Sequence, residues 1–99
     1  MYHSIYVIEN ILNGKVYVGR TQYDMRLRWN AHVQSPSRKT PLGRDVIELG
    51  AASFTIRLID TANGALEAAK KERLYTHLLE SNVPQFGYNS PRIYPWPVE

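Results

Sequence analysis

Ile, Val and Tyr crowd the chain from Ser4 to Leu12, and the same β-favouring pattern resumes from Lys15 to Gly19. Between them lies Asn13-Gly14, a strong short-range hairpin signal, so the opening of the chain predicts two antiparallel strands. Asp24 is placed to cap a helix over Met25–Gln34, and Ser35-Pro36-Ser37-Arg38-Lys39 breaks the pattern as a loop. Thr40-Pro41 then supplies a cap and a first-turn proline, Leu42, Val46 and Leu49 recur at helical spacing, and Gly50 is placed to end the helix. Phe54 to Ile59 alternates as a third strand. From Ala65 to Ser81 the residues are strong helix formers, and this is the longest helix. The order β-β-α-α-β-α implies an α+β fold, a small three-stranded, mostly antiparallel sheet flanked by helices. The domain is expected over residues 1–90, with an extended proline-rich tail over 91–99.

Against this pattern, several polar side chains fall where apolar ones are expected. With a two-residue turn at Asn13-Gly14, Tyr17 lies opposite Asn10, which shares the parity of Tyr6, so the two phenols share one face of the hairpin. On the first helix, Leu27 and Ala31 form one apolar arc and Met25, Trp29 and Val33 another, with Arg28 and His32 between them. A cation there needs an anion, from the protein or from a substrate phosphate. On the last helix Ala68, Glu72, Tyr75 and Leu79 form the inward stripe, so Glu72 needs a partner as well: an ion pair with Arg28, or a role in chemistry.

Composition narrows the classes. Ninety-nine residues leave room for one core, and the absence of cysteine removes disulfides, a thiol nucleophile and cysteine-based zinc sites. The apolar runs are too short to span a membrane, and the first residues lack a secretory pattern, which fits a cytoplasmic protein with no membrane partner. The net charge of +3 is unevenly spread: Met1 to Arg44 holds seven bases and two acids, the remainder five bases and seven acids. Eight of the twelve bases are arginine, whose planar fork suits phosphate oxygens, so a nucleic-acid partner gains weight.

Five elements in order, Ser4-Ile5-Tyr6, Tyr17-Val18-Gly19, Arg28-Trp29 with His32, Glu72 followed by an aromatic three residues on, and Gly87-Tyr88-Asn89, resemble the GIY-YIG nuclease family. The likeness is greatest to the nuclease domain of phage intron-encoded homing endonucleases, and it spans Ser4 to Asn89. Ser4 stands where the family's first motif usually has glycine, and Val18 where isoleucine is common. The resemblance implies that Tyr6, Tyr17, Arg28, His32, Glu72 and Asn89 form one catalytic site on the sheet surface, within a phage or bacterial host cell.

The resemblance further implies a metal-dependent DNA endonuclease leaving 5′-phosphate and 3′-hydroxyl ends. One carboxylate suits a single Mg²⁺ or Mn²⁺ on Glu72 better than a two-metal site. Tyr6 is expected to take the proton from water, Tyr17 to orient water or phosphate, Arg28 to clamp phosphate and His32 to relay a proton. Because a phenol is a weak base at neutral pH, Arg28, His32 or the metal must favour the phenolate. Arg20, Arg26, Arg38, Lys39 and Arg44 are candidates for sequence-independent DNA contacts. No base-reading element is visible, so either specificity is low or it comes from self-association, an unusual DNA structure or a recognition partner protein. The alternative is a nucleic-acid-binding module that keeps the fold without cleavage.

Overall fold

The computed structural model describes residues 1–91; the rest of the proline-rich tail lies outside the described residues. The elements follow the expected order: β1 (Tyr2–Asn10), β2 (Val16–Thr21), α1 (Met25–Gln34), α2 (Pro41–Leu49), β3 (Phe54–Asn63) and α3 (Ala65–Leu78), with a single 3-10 turn at Ala51–Ser53. The sheet runs β2-β1-β3 with both pairings antiparallel. Both helix starts are capped as their sequences indicate, Asp24 accepting from the Arg26 amide at 2.9 Å and Thr40 from the Gly43 amide at 3.1 Å.

The hairpin turn is wider than two residues. Asn10 turns its side chain into the loop, where Oδ1 accepts from the Leu12 amide at 2.9 Å, and the Gly14 amide reaches back to the Asn10 carbonyl at 2.8 Å. Tyr17 consequently lies opposite Ile8, and Tyr6 opposite Gly19. The register has slipped by two residues from the expected one, which returns every side chain to the same face. Tyr6 and Tyr17 therefore still share a surface.

β3 runs past the expected Ile59 because a bulge on its pairing with β1, between Ile5 opposite Asp60 and Tyr6 opposite Leu58, absorbs the break in alternation. α3 stops at Leu78, short of Ser81, since the backbone turns left-handed at Glu80 with φ 54°. The sheet is covered on both sides. Tyr6, Ile8 and Phe54 face α1 and α2, packing with Leu42, Val46 and Tyr88 and with Met25 and Trp29 of α1. Ile5, Val7, Val18 and Ala62 face α3 through Ala68 and Tyr75.

Two helical faces differ from the expected ones. Leu27 is 60% exposed and Ala31 is exposed, so only the Met25–Trp29 arc of α1 faces the sheet. On α3 Ala68 is buried as expected and Thr76 is buried with it, whereas Leu79, just past the helix end, is exposed.

The last described segment closes the fold by lying along β2. The Val16 amide donates to Phe86 and the Tyr88 amide to Val16, forming a parallel bridge at Gly87. Gly87 is required by close approach: a Cβ there would fall onto the Cα and carbonyl of buried Ser81. Tyr88 fills the core and donates its hydroxyl to Asp45 at 2.6 Å while accepting from the fully buried Asn10 at 3.0 Å. One phenol thus ties β1, α2 and the C-terminal segment together.

Tyr88→Phe leaves the Asn10 amide and the Asp45 carboxylate without that hydroxyl, and is expected to destabilise the domain by about 1–3 kcal/mol. Calorimetry should show a fall in Tm on the order of 5–20 °C. An unchanged Tm would show that the phenol is dispensable.

Candidate active site

Edge strand β2 holds the two halves of the site together. Tyr17 and Gly19 point to the α1 and α2 side, while Val18 and Arg20 have the opposite parity and face α3. Tyr6 is 1% exposed and its ring lies across Gly19, where a Cβ would meet the phenol carbons, the ring Cε1 at 2.7 Å. Any side chain at position 19 would thus take the place of the Tyr6 hydroxyl. The missing side chain of Gly19 leaves a window on the α1 and α2 face of the sheet, and the phenol occupies it.

Tyr6 and Tyr17 have ring centroids 6.4 Å apart, and the His32 ring stands edge-on to Tyr17 at 6.0 Å. Arg28 is exposed on α1, on the rim rather than in the core where its spacing had placed it, and its guanidinium donates to the Tyr6 hydroxyl. From the other side of the sheet α3 brings Glu72 to a cleft of about 370 Å³ that it shares with Tyr17, Arg20, Thr76 and Asn89. The site therefore wraps the β2 edge, with members on both faces, instead of lying on one sheet surface. Glu72 is paired with Arg20 at 3.7 Å, so the ion pair with Arg28 weighed from the sequence does not form.

Asn89 joins these residues in a different capacity. Its Oδ1 accepts from the Val18 amide at 2.8 Å and its Nδ2 donates to the Val18 carbonyl at 2.9 Å. Both ends of the amide are taken up by the backbone between Tyr17 and Gly19, which makes Asn89 a positioning residue.

Burial shifts Tyr6, Tyr17, His32 and Glu72 toward their neutral forms. It raises the Tyr6 phenol above 10.0, with Arg28 opposing through its hydrogen bond and charge, and Glu72 adding to the rise. Tyr17 is pushed up to about 12 by burial, then by Tyr6 and Glu72. His32 is lowered, by burial first and Arg28 second, and its Nε2 is buried without a hydrogen-bond partner. Burial raises Glu72, against the pull of Arg20. Of the two phenols, only Tyr6 has a cation as hydrogen-bond donor.

Among the described residues no three His, Cys, Asp or Glu side chains gather as a metal cluster. The donor set for a cation is the Glu72 carboxylate alone, on an open cleft. One hard oxygen anion beside room for water and phosphate suits an ion that keeps most of its hydration, such as Mg²⁺.

The expected DNA-contacting cations divide. Arg20 borders the Glu72 cleft and a neighbouring one with Arg28 and Tyr23, and Lys39 lines a further cleft with Tyr17 and His32. Arg26, Arg38 and Arg44 are exposed and line none of these clefts. Sequence reading missed the window role of Gly19 and the Arg20–Glu72 pair. The parity of β2 carried the signal, since Arg20 follows Val18 onto the face that α3 covers.

Comparison with known proteins identifies the fold and the family. A family model described as the GIY-YIG catalytic domain matches residues 2–89. A mutant of the catalytic domain of the intron endonuclease I-TevI aligns with TM-score 0.75 and 26% identity over 90% of this chain and 93% of its own. The catalytic domain of the homing endonuclease I-TevI aligns with TM-score 0.75 and 24% identity over 89% and 97%. No curated protein matches. With its tyrosines on one hairpin face, its glutamate on the last helix and its asparagine on the closing strap, the chain belongs to the GIY-YIG family, whose catalytic-domain model it matches over nearly its whole length.

Proposed function

We propose that the domain is a metal-dependent DNA endonuclease that hydrolyses phosphodiesters to 5′-phosphate and 3′-hydroxyl ends. The observation that carries this reading is that Tyr17 and Glu72 share one cleft at the edge strand, while Arg28 and Glu72 both act on the Tyr6 and Tyr17 phenols. A nuclease needs a base for water, positive charge for the phosphate oxygens and help for the departing oxygen, and these residue types meet those needs. The cationic first half of the chain suits a polyanion, with Arg20, Arg26, Arg38, Lys39 and Arg44 as phosphate contacts.

Tyr6 is the base. Arg28 donates to its oxygen and offsets part of the burial that disfavours the phenolate, whereas Tyr17, pushed up to about 12, stays protonated and orients water or phosphate as a donor. Water loses its proton to Tyr6 and attacks phosphorus, the bond to the 3′-oxygen breaks, and the leaving oxygen is protonated from solvent. His32, held neutral, relays the proton away from the phenol. Glu72 holds Mg²⁺ or Mn²⁺, which when bound supplies positive charge to the scissile phosphate. Arg28 also clamps the phosphate, which needs only one of its donors to leave Tyr6. Specificity comes from DNA structure, self-association or a recognition partner protein.

Three outcomes check this. With supercoiled plasmid and Mg²⁺ or Mn²⁺, the wild type should nick; Tyr6→Phe, Arg28→Ala and Glu72→Ala should each lose at least about 10²-fold in rate, in line with removal of a catalytic proton acceptor or charge. Retained cleavage in all three would sink the mechanism, and DNA retardation without nicking by the wild type would favour a binding module. Since Tyr6 titrates above 10.0, the logarithm of kcat/KM should rise by about one per pH unit between roughly pH 6 and 9, without a plateau. Glu72 is the converse case for stability: its folded-state pKa lies above 4.5, so ionising it disfavours the fold as pH climbs through that raised value. Glu72→Gln removes this burden, and its Tm should gain on the wild type between pH 4 and 7; a constant difference would contradict the burial effect.

A further inference from the structure

Arg20 lines the same cleft as the carboxylate that suits a metal. Its Nε lies 3.7 Å from Glu72 and its Nη1 donates to the Ala65 carbonyl at 3.3 Å, so one guanidinium is divided between two acceptors and satisfied closely by neither. The two side chains are 39% and 32% exposed, the regime in which an ion pair is weak and readily exchanged. Arg20 also borders the neighbouring cleft that holds Arg28, which brings it within reach of a phosphate clamped by Arg28.

A guanidinium and a divalent cation compete for a single carboxylate, because like charges about 4 Å apart repel and each removes the other's counter-charge. Phosphate offers Arg20 a better partner than Glu72, as two of its oxygens match the planar fork. We propose that Arg20 gates the metal site: it occupies Glu72 in the free protein and releases it when a DNA phosphate takes the guanidinium. This rests on the reading of Glu72 as the metal-holding residue. Coupling of this kind is reciprocal, so DNA tightens metal binding and metal tightens DNA binding. The free protein is then a poor metal binder, and the site is assembled on its substrate.

The test is Mn²⁺ binding to the full chain, followed by the electron paramagnetic resonance of free Mn²⁺, in a Tyr6→Phe background that keeps the duplex intact. Without DNA, Arg20→Gln should bind Mn²⁺ about two- to fivefold more tightly than Arg20, the factor that a half-exposed pair is worth. Adding duplex should tighten Mn²⁺ binding in the Arg20 protein and change it little in Arg20→Gln. Equal or weaker binding by Arg20→Gln without DNA would overturn the gate, since mere loss of structure weakens a site and cannot strengthen it. Arg57→Gln, whose partner is Glu9 at 3.0 Å, controls for the loss of one positive charge, and an equal gain there would also overturn the gate. If Glu72→Gln binds Mn²⁺ as tightly as its parent, the reading of Glu72 as the metal ligand fails, and the gate with it.

Discussion

The absence of a side chain at position 19 is the constraint on which the site depends. A β-strand sends successive side chains to opposite faces, so groups from α1 and groups from α3 are normally separated by the thickness of the sheet. At the outer strand that separation is only one residue wide, and Gly19 leaves the Tyr6 ring room to lie across it. Arg28 acts on the phenol from its own face, and the charge of Glu72, on the α3 side, is felt by it as well. The hydrogen bonds of Asn89 to Val18 fix the backbone beside the window, so that its position is set from both sides.

The electrostatics follow from the same placement. Tyr6, Tyr17, His32 and Glu72 are all drawn toward their uncharged forms by burial, while the two cations next to them, Arg20 and Arg28, remain accessible to solvent. Such a site holds little fixed negative charge of its own and presents its positive charge at the rim. That distribution welcomes a polyanion from outside and leaves the interior groups to ionise when neighbouring charge changes. Ordinary packing rules fail at these positions, as they do where residues are kept for chemistry and not for the stability of the fold.

Much of this was legible in the sequence, for reasons that can be named. The helix caps at Asp24 and Thr40 act locally, and the structure repeats them. The shared face of Tyr6 and Tyr17 survived a wrong register because the slip was an even number. Range was the limit elsewhere. The wider hairpin loop depends on Asn10 bonding both to Leu12 and to Tyr88, a residue 78 positions away, and no local pattern reports that. Arg28 was placed between two apolar arcs, yet one of those arcs faces solvent, so its cation never needed burial. Helical spacing gave Glu72 an inward direction but could not tell which arginine it would meet, since that depends on which face of β2 α3 covers.

The strap formed by Gly87, Tyr88 and Asn89 has a consequence for the order of events during synthesis. The tyrosines emerge from the ribosome early, but the fastening of β2, the strand that carries Tyr17, arrives more than seventy residues after it. Contacts so distant along the chain cannot form until nearly the whole domain has been made, and they close slowly compared with helices. A nascent or truncated chain ending before residue 89 holds Tyr6, Tyr17, Arg28 and Glu72 yet lacks the tether that sets Gly19. The arrangement of the candidate site is therefore the last property the chain acquires.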